Sequence, residues 1–131
     1  MFKKVLTPRI SEVNRARHIG YQVIPIWLEE AFIEIINRLF NHDEKAEPLF
    51  IVKSIHIDFI NEIFFGEDVE VITGVKKIGN TSLVLNQKIY QGERLCVKGT
   101  PTLVYFDFNV KKSRVIPPHV RKNLKKHMIT D

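Results

Sequence analysis

The stretch SEVNRARHIGYQVIPIWLEEAF, Ser11 to Phe32, sets Asn14, His18 and Gly20 in a polar loop directly ahead of a strongly apolar segment that carries Glu29 and Glu30. The first N–H groups of a helix have no partner inside it and concentrate positive charge. A helix starting here could hold a carbonyl oxygen that turns negative during acyl transfer. Gly20 would let a substrate approach the backbone closely. Asn14 could orient a water or a carbonyl group, but a carboxamide cannot act as a general base. His18 could do so if it is reachable; the competing reading is a His that only caps or packs. His56 and Asp58 share a strand face at i, i+2 and could touch a metal, yet two ligands do not make a site and a hydrogen bond is the stronger reading. There is no Gly-rich phosphate loop, serine elbow or zinc-type Cys/His spacing, so neither a cofactor nor a metal is expected.

These groups depend on the elements around them. From Ile24 to Phe40 the apolar residues recur at helical spacing over a wide arc, and Pro25 suits a first turn, where its missing N–H costs nothing. Glu30, Glu34, Asn37 and Arg38 fall on one polar face. Glu29 projects off that face, beside Ile33, Ile36 and Phe40, and a core-facing Glu needs a partner such as a backbone N–H or an Arg. NHDEKAEP then ends the helix.

After Pro48 the period changes to two. LFIVKSIHIDFI puts Leu49, Ile51, Ile55, Ile57 and Phe59 on one face, with Lys53 as the exception; EDVEVITGVKKIG groups Val69, Val71 and Val75. TSLVLNQKIY alternates Leu83, Leu85 and Ile89 with Ser82, Asn86 and Lys88, and Gly79-Asn80 and Gln91-Gly92 mark turns. Pro101, inside ERLCVKGTPTLVYFDF, argues for an edge position or a bulge. KKVLTPRIS adds one more short strand. Strand, long helix, four strands linked mostly by hairpins, short basic helix: this order predicts an α+β domain with an antiparallel sheet packed on the helix. No repeat or linker divides the chain, so residues 1–131 form one domain.

The apolar fraction of 44% and nine phenylalanines fit a packed core. No apolar run is long enough for a signal peptide or an uninterrupted membrane span. Cys96 is the single cysteine, which suits a reducing cytoplasm, and its apolar strand setting predicts a buried inert thiol. The formal charge of +5 comes from the tail: residues 109–131 carry seven Lys/Arg and one acid. A basic terminal helix, PPHVRKNLKKH, reads first as a solvated face complementing its own dipole. Contact with an anionic partner is the weaker reading; no aromatics interleave with the bases, which disfavours single-stranded nucleic acid.

Taken together, these residues resemble the hotdog-fold thioesterases of the 4-hydroxybenzoyl-CoA thioesterase type. The likeness covers nearly the whole chain: the loop, the WLEEA helix, the strands GEDVEVITGVKKIGNTSLVLNQKIYQGERLCVKGTPTLVYFD and the closing VIPPHVRKNL. The family pattern D-x-D-x-x-G-H-V-N-N is matched at its acidic positions by Glu12 and Asn14 and at His-Val by His18-Ile19, with Glu29-Glu30-Ala31 at the family's distance. RISEVNRARHIGYQ is also similar to a subgroup pattern R-x-S-D-x-N-x-x-x-H-L-G-N-D at Arg9, Ser11, Asn14, His18 and Gly20. The chain departs where Asn14 replaces the usual catalytic Asp, Arg17 stands where Gly is common, and Tyr21-Gln22 replace an Asn pair.

The resemblance implies a five-stranded antiparallel sheet wrapped around one long central helix. It also implies homodimers or homotetramers, with active sites between one subunit's loop and helix and its neighbour's strands. An acyl-CoA or acyl carrier protein thioester would be hydrolysed in the cytoplasm. Amides near Gly20 and Tyr21 would polarise the carbonyl and Asn14 would orient water or substrate, while Glu30, Glu29 or His18 took the proton. Thr81, Ser82, Lys76, Lys77 or the tail would meet CoA phosphates. The alternative is a hotdog protein that binds acyl-CoA or acyl carrier protein without turnover, having lost its acid at Asn14. Binding of nucleic acid or a membrane surface through the tail is a weaker third reading, and a hydratase is disfavoured because Asn14 also spoils the Asp-and-His pair such enzymes use.

Overall fold

The computed structural model describes residues 1–40 and 49–129. The polar stretch 41–48 expected to end the helix lies outside the described residues, as do the side chains of Phe40 and Leu49. Strand β1 (Phe2–Leu6) leads through two single-turn 3-10 segments (Ile10–Glu12 and Tyr21–Val23) into helix α1 (Ile24–Phe40). Strands β2 (Leu49–Phe59), β3 (Val69–Ile78), β4 (Ser82–Gln91) and β5 (Arg94–Asp107) follow, then a short β6 (Lys112–Ser113) and helix α2 (Pro118–Lys125). The sheet order is β1-β3-β4-β5-β2, with β6 on β5, and every strand pair is antiparallel. This is the expected hotdog arrangement of a curled sheet around one long helix.

The inner face of α1 buries Trp27, Leu28, Ala31, Phe32, Ile35 and Ile36. Each fully buried large side chain contributes about 1.5–3 kcal/mol, which is why the helix forms where its apolar arc is widest. The sheet answers with Val69, Val71 and Val75 of β3, Leu83, Leu85 and Ile89 of β4, and Val97 and Leu103 of β5, all buried. Helix and sheet approach closely at Gly99, where an added Cβ would lie 2.7 Å from Leu28 Cδ1. Beside it the buried Gln87 donates through Nε2 to Leu28 O (3.0 Å) and Thr73 Oγ1 (3.1 Å), a polar tie between sheet and helix.

Three expectations need correction. The pairing of β2 with β5 slips between Val52 and Ser54, a bulge at Lys53. A bulge adds one residue and so exchanges the two faces. Phe50 and Val52, opposite Tyr105 and Leu103, therefore share the inner face with Ile55, Ile57 and Phe59, whereas Ile51 lies on the other face. Second, Pro101 sits in an interior strand. Its missing N–H is tolerated because the β4–β5 pairs lapse between Val84–Thr102 and Gln87–Gly99; on the other side it pairs with Ile55, and the β2 bulge lies one step along, opposite Thr102 and Leu103. Third, Glu29 is exposed and not core-facing, so it needs no buried partner.

The chain end is docked, which accounts for part of its basic composition. Helix α2 buries Val120 and Leu124, and Arg121 donates to Gly79 O at 2.8 Å. Beyond it, Val75 N donates to His127 O and Ile129 N to Val75 O, both at 2.9 Å. The segment 127–129 thus takes over the β3 edge where β1 ends at its Phe2–Thr73 pair. Cys96 is fully buried, as expected. Among the described residues no helix is long and apolar enough to cross a membrane.

Candidate active site

The loop ahead of α1 is closed by Asn14. Its Oδ1 accepts from the backbone N–H groups of Ala16 (3.0 Å) and His18 (3.1 Å), and its own N–H donates to His18 O (2.8 Å). Short polar side chains fold turns in this way. The turn holds Arg17 at φ 65°, left-handed backbone where the family pattern has Gly. Since Oδ1 is occupied by the loop, what Asn14 can offer a ligand is the donor end of its amide.

The neighbouring acidic position has a structural role. Glu12 accepts from Arg9 N (2.7 Å) and from Trp27 Nε1 (2.9 Å), fastening the loop to the first turn of α1. Gly20 is buried with φ −64° and donates its N–H to Glu12 O at 3.0 Å. A Cβ there would meet the amide end of the exposed Gln22 side chain at 2.7 Å, a contact that a rotation of that flexible side chain relieves. The amides free to hold an oxyanion are therefore those one step further on, at Tyr21 and Gln22, the opening residues of the helical turn.

Asn14, His18 and Tyr21 come together around a cavity of about 430 Å³, within the usual size range of a small-molecule site. Its apolar walls include Phe59, Ile60 and Val97, and Ile24 brings in the start of α1. Tyr21 is largely exposed and meets the Phe59 ring edge-on, centroids 6.4 Å apart. The His18 ring stands edge-on to Phe64 at 4.9 Å, with Nδ1 3.9 Å from a Glu62 carboxylate oxygen.

The other sequence-designated residues lie elsewhere. Glu29 and Glu30 are exposed on α1 and do not line this cavity; Glu30 borders a separate cleft with Lys4, Arg9 and Glu12. Lys77, Thr81 and Ser82 belong to the β3–β4 hairpin, where Thr81 O accepts from Tyr105 N (2.9 Å) and Ser82 O from Gly79 N (2.8 Å). Val97 of the cavity lies opposite Ile89, seven residues along β4 from Ser82, roughly 23 Å at about 3.3 Å per residue, so within one chain hairpin and cavity do not meet. His56 Nε2 and Asp58 Oδ1 bond to each other at 3.0 Å on the exposed face of β2.

Two residues lining the cavity were not singled out by the sequence, Asn61 and Glu62. They sit in the connection between β2 and β3, more than forty residues from the loop. Only the fold brings them to it: Ile19 N donates to Ile63 O at 2.8 Å, and His18 pairs with Phe64 in an isolated bridge.

A curled antiparallel sheet around one helix, with a pocket where the preceding loop meets that helix, defines the class of hotdog proteins. The chain belongs to the thioesterase-like superfamily, whose family model matches residues 8–124. A predicted thioesterase from Bacillus stearothermophilus superimposes with a TM-score of 0.92 at 33% identity, over 99% of this chain and 98% of that one. A Thermus thermophilus thioesterase solved with coenzyme A and zinc gives 0.81 at 19% identity, covering 94% and 96%. A gentisyl-coenzyme A thioesterase gives 0.84 at 17%, covering 94% and 99%. No curated protein sequence matches the chain significantly.

Proposed function

We propose that this protein is an acyl-CoA thioesterase. The observation that carries the reading is the convergence of Asn14, His18 and the opening of α1 on one cavity with apolar walls. Family membership supports it, as does the coenzyme A bound by the Thermus relative. The thioester carbonyl lies against the Tyr21 amide and the Asn14 Nδ2 donor, which stabilise the oxyanion. His18 takes a proton from the attacking water. The C–S bond then breaks, the proton passes to the CoA thiolate, and the carboxylic acid product ionises to solvent. His18 is favoured over Glu30 and Glu29 because only His18 lines the cavity.

The working form is a homodimer, joined along β2. That strand ends the sheet order, and Val52, Ile55 and Phe59 leave large apolar surface exposed on it; a bare apolar edge invites pairing with a second copy. A partner would also bring a second set of hairpin residues such as Lys77, Thr81 and Ser82 toward CoA. The Val52→Glu variant should then run as a monomer in light scattering, and an unchanged dimer would count against this edge.

The second reading is a non-hydrolysing binder of acyl-CoA or acyl carrier protein, favoured by the carboxamide at Asn14, where the family places its acid. Release of free CoA from acyl-CoA decides between them. Turnover supports the enzyme; thermal stabilisation by acyl-CoA without release supports the binder.

A further inference from the structure

We propose that Glu62 is a positioning residue that, in a dyad with His18, supplies the base function that Asn14 cannot. Among the described residues Glu62 is the one carboxylate lining the cavity that Asn14 and His18 share. Its oxygen lies 3.9 Å from His18 Nδ1, outside hydrogen-bond range, on a side chain that is 64% exposed; a small rotation of that side chain would bring the two into a bond in which the carboxylate holds the Nδ1–H tautomer and leaves the Nε2 lone pair for a proton.

The backbone beneath this pair is built to hold it. On the Glu62 side, Ile60 N and Asn61 N both donate to Cys96 O, at 2.8 and 3.1 Å, and Asn61 Nδ2 donates to Leu95 O at 2.8 Å. Arg94 donates to Glu62 O, while its guanidinium lies over the Phe64 ring, 5.3 Å from the centroid. Buried Gln91 closes the next turn, accepting from Phe64 N at 2.9 Å and donating to Phe64 O at 2.8 Å. On the other side His18 is fixed by Asn14 and by the bridge to Phe64. Two segments distant in sequence are tied together where the His18 imidazole faces the Glu62 carboxylate across the cavity. A side chain carried on pinned backbone is what a reacting group needs for reproducible geometry.

Arg94 contributes to the arrangement through its backbone bond. By gripping the Glu62 carbonyl it anchors the residue from the strand side and leaves the carboxylate to His18. In the hydrolysis described above, His18 Nε2 takes the water proton, Glu62 balances the imidazolium, and the proton returns to the thiolate as the C–S bond breaks. No further reactant is needed.

The catalytic part rests on the thioesterase reading, so the test has two arms. The first is a kinetic double-mutant cycle on an acyl-CoA. Glu62→Gln should lower kcat about 10- to 100-fold with little change in KM, as expected for loss of an orienting partner rather than of the base itself. Glu62→Asp should recover part of the loss. His18→Ala should be worse, and adding Glu62→Gln to it should change little, because Glu62 acts through His18. Multiplying losses in the double variant, or full kcat in Glu62→Gln, would overturn the proposal. The second arm needs no turnover. Nitrogen-15 NMR of the neutral His18 ring should show the Nδ1–H tautomer in the wild type and a shift toward Nε2–H in Glu62→Gln. An Nε2–H ring in the wild type, or no change on substitution, would overturn it whatever the enzyme does. Absence of hydrolysis by the wild type with the tautomer result intact would refute the thioesterase reading and leave the pairing standing.

Discussion

Replacing Asn14 by Ala should undo the loop before it undoes the fold. The Oδ1 atom accepts from Ala16 N and His18 N, and Arg17 stands at φ 65° inside the turn so closed. A net hydrogen bond contributes about 0.5–1.5 kcal/mol. Both bonds are exposed, so water replaces part of what is lost and the loop should lose about 1–2 kcal/mol in all. At roughly 1.4 kcal/mol per factor of ten, exchange of the Ala16 and His18 amides through local opening should accelerate about tenfold. Amides under α1, fastened independently through the Glu12–Trp27 bond, should be unaffected. Hydrogen exchange followed by NMR measures this directly. Asn14→Asp is the control: a carboxylate accepts the same two bonds, so loop exchange should stay near the wild type. Turnover should fall in Asn14→Ala with kcat changing more than KM, because the carbonyl donor and the placement of His18 are lost together. Unchanged exchange at residues 16 and 18 in Asn14→Ala would refute the claim that this side chain builds the loop.

Further outcomes follow from the same structure. Glu30→Gln should keep most of its turnover, since Glu30 borders a different cleft; abolished kcat with normal folding would make Glu30 the base instead. Gly99→Val should lower the melting temperature by several degrees, as its Cβ would sit 2.7 Å from Leu28 Cδ1 and overpacking costs about 1–3 kcal/mol; an unchanged melting point would contradict the close approach. His127 is pushed below its ordinary value by burial, with the N-terminal ammonium and Lys126 adding to the effect. The unfolded chain therefore binds this proton more readily, so stability should fall as pH drops below about 6.5 toward the depressed folded value and level off beneath it. Melting scans from pH 7 to 5 on wild type and His127→Gln should diverge accordingly, and parallel curves would rule this contribution out.

The parts of the fold readable in the sequence are those governed by unbroken periodicity. Helix α1 occupies Ile24–Phe40 as expected, because seventeen residues with one apolar arc and Pro25 in the first turn leave few alternatives. Strand β4 likewise alternates without interruption. Parity fails where a single residue is inserted: the bulge at Lys53 moved Phe50 and Val52 to the inner face, and its only local sign is Lys53 itself, a charge out of step with the alternation. Glu29 was misplaced because a helical wheel gives directions around an axis but not the width of the sheet that covers it. At the site, Asn14, His18 and Tyr21 were visible as neighbours in one loop. Glu62 was not, since its proximity to His18 arises from the Ile19–Ile63 bond and the His18–Phe64 bridge between distant segments. Its only local signal is a lone acid within the apolar run FINEIFF.

The central claim is tested most directly by following free CoA release from a panel of short, medium, long-chain and aromatic acyl-CoAs, with wild type and His18→Ala in parallel. The account predicts turnover well above background on at least one member of the panel, and its loss in His18→Ala. No CoA release from any of them by the wild type, or equal release by the two proteins, would contradict it.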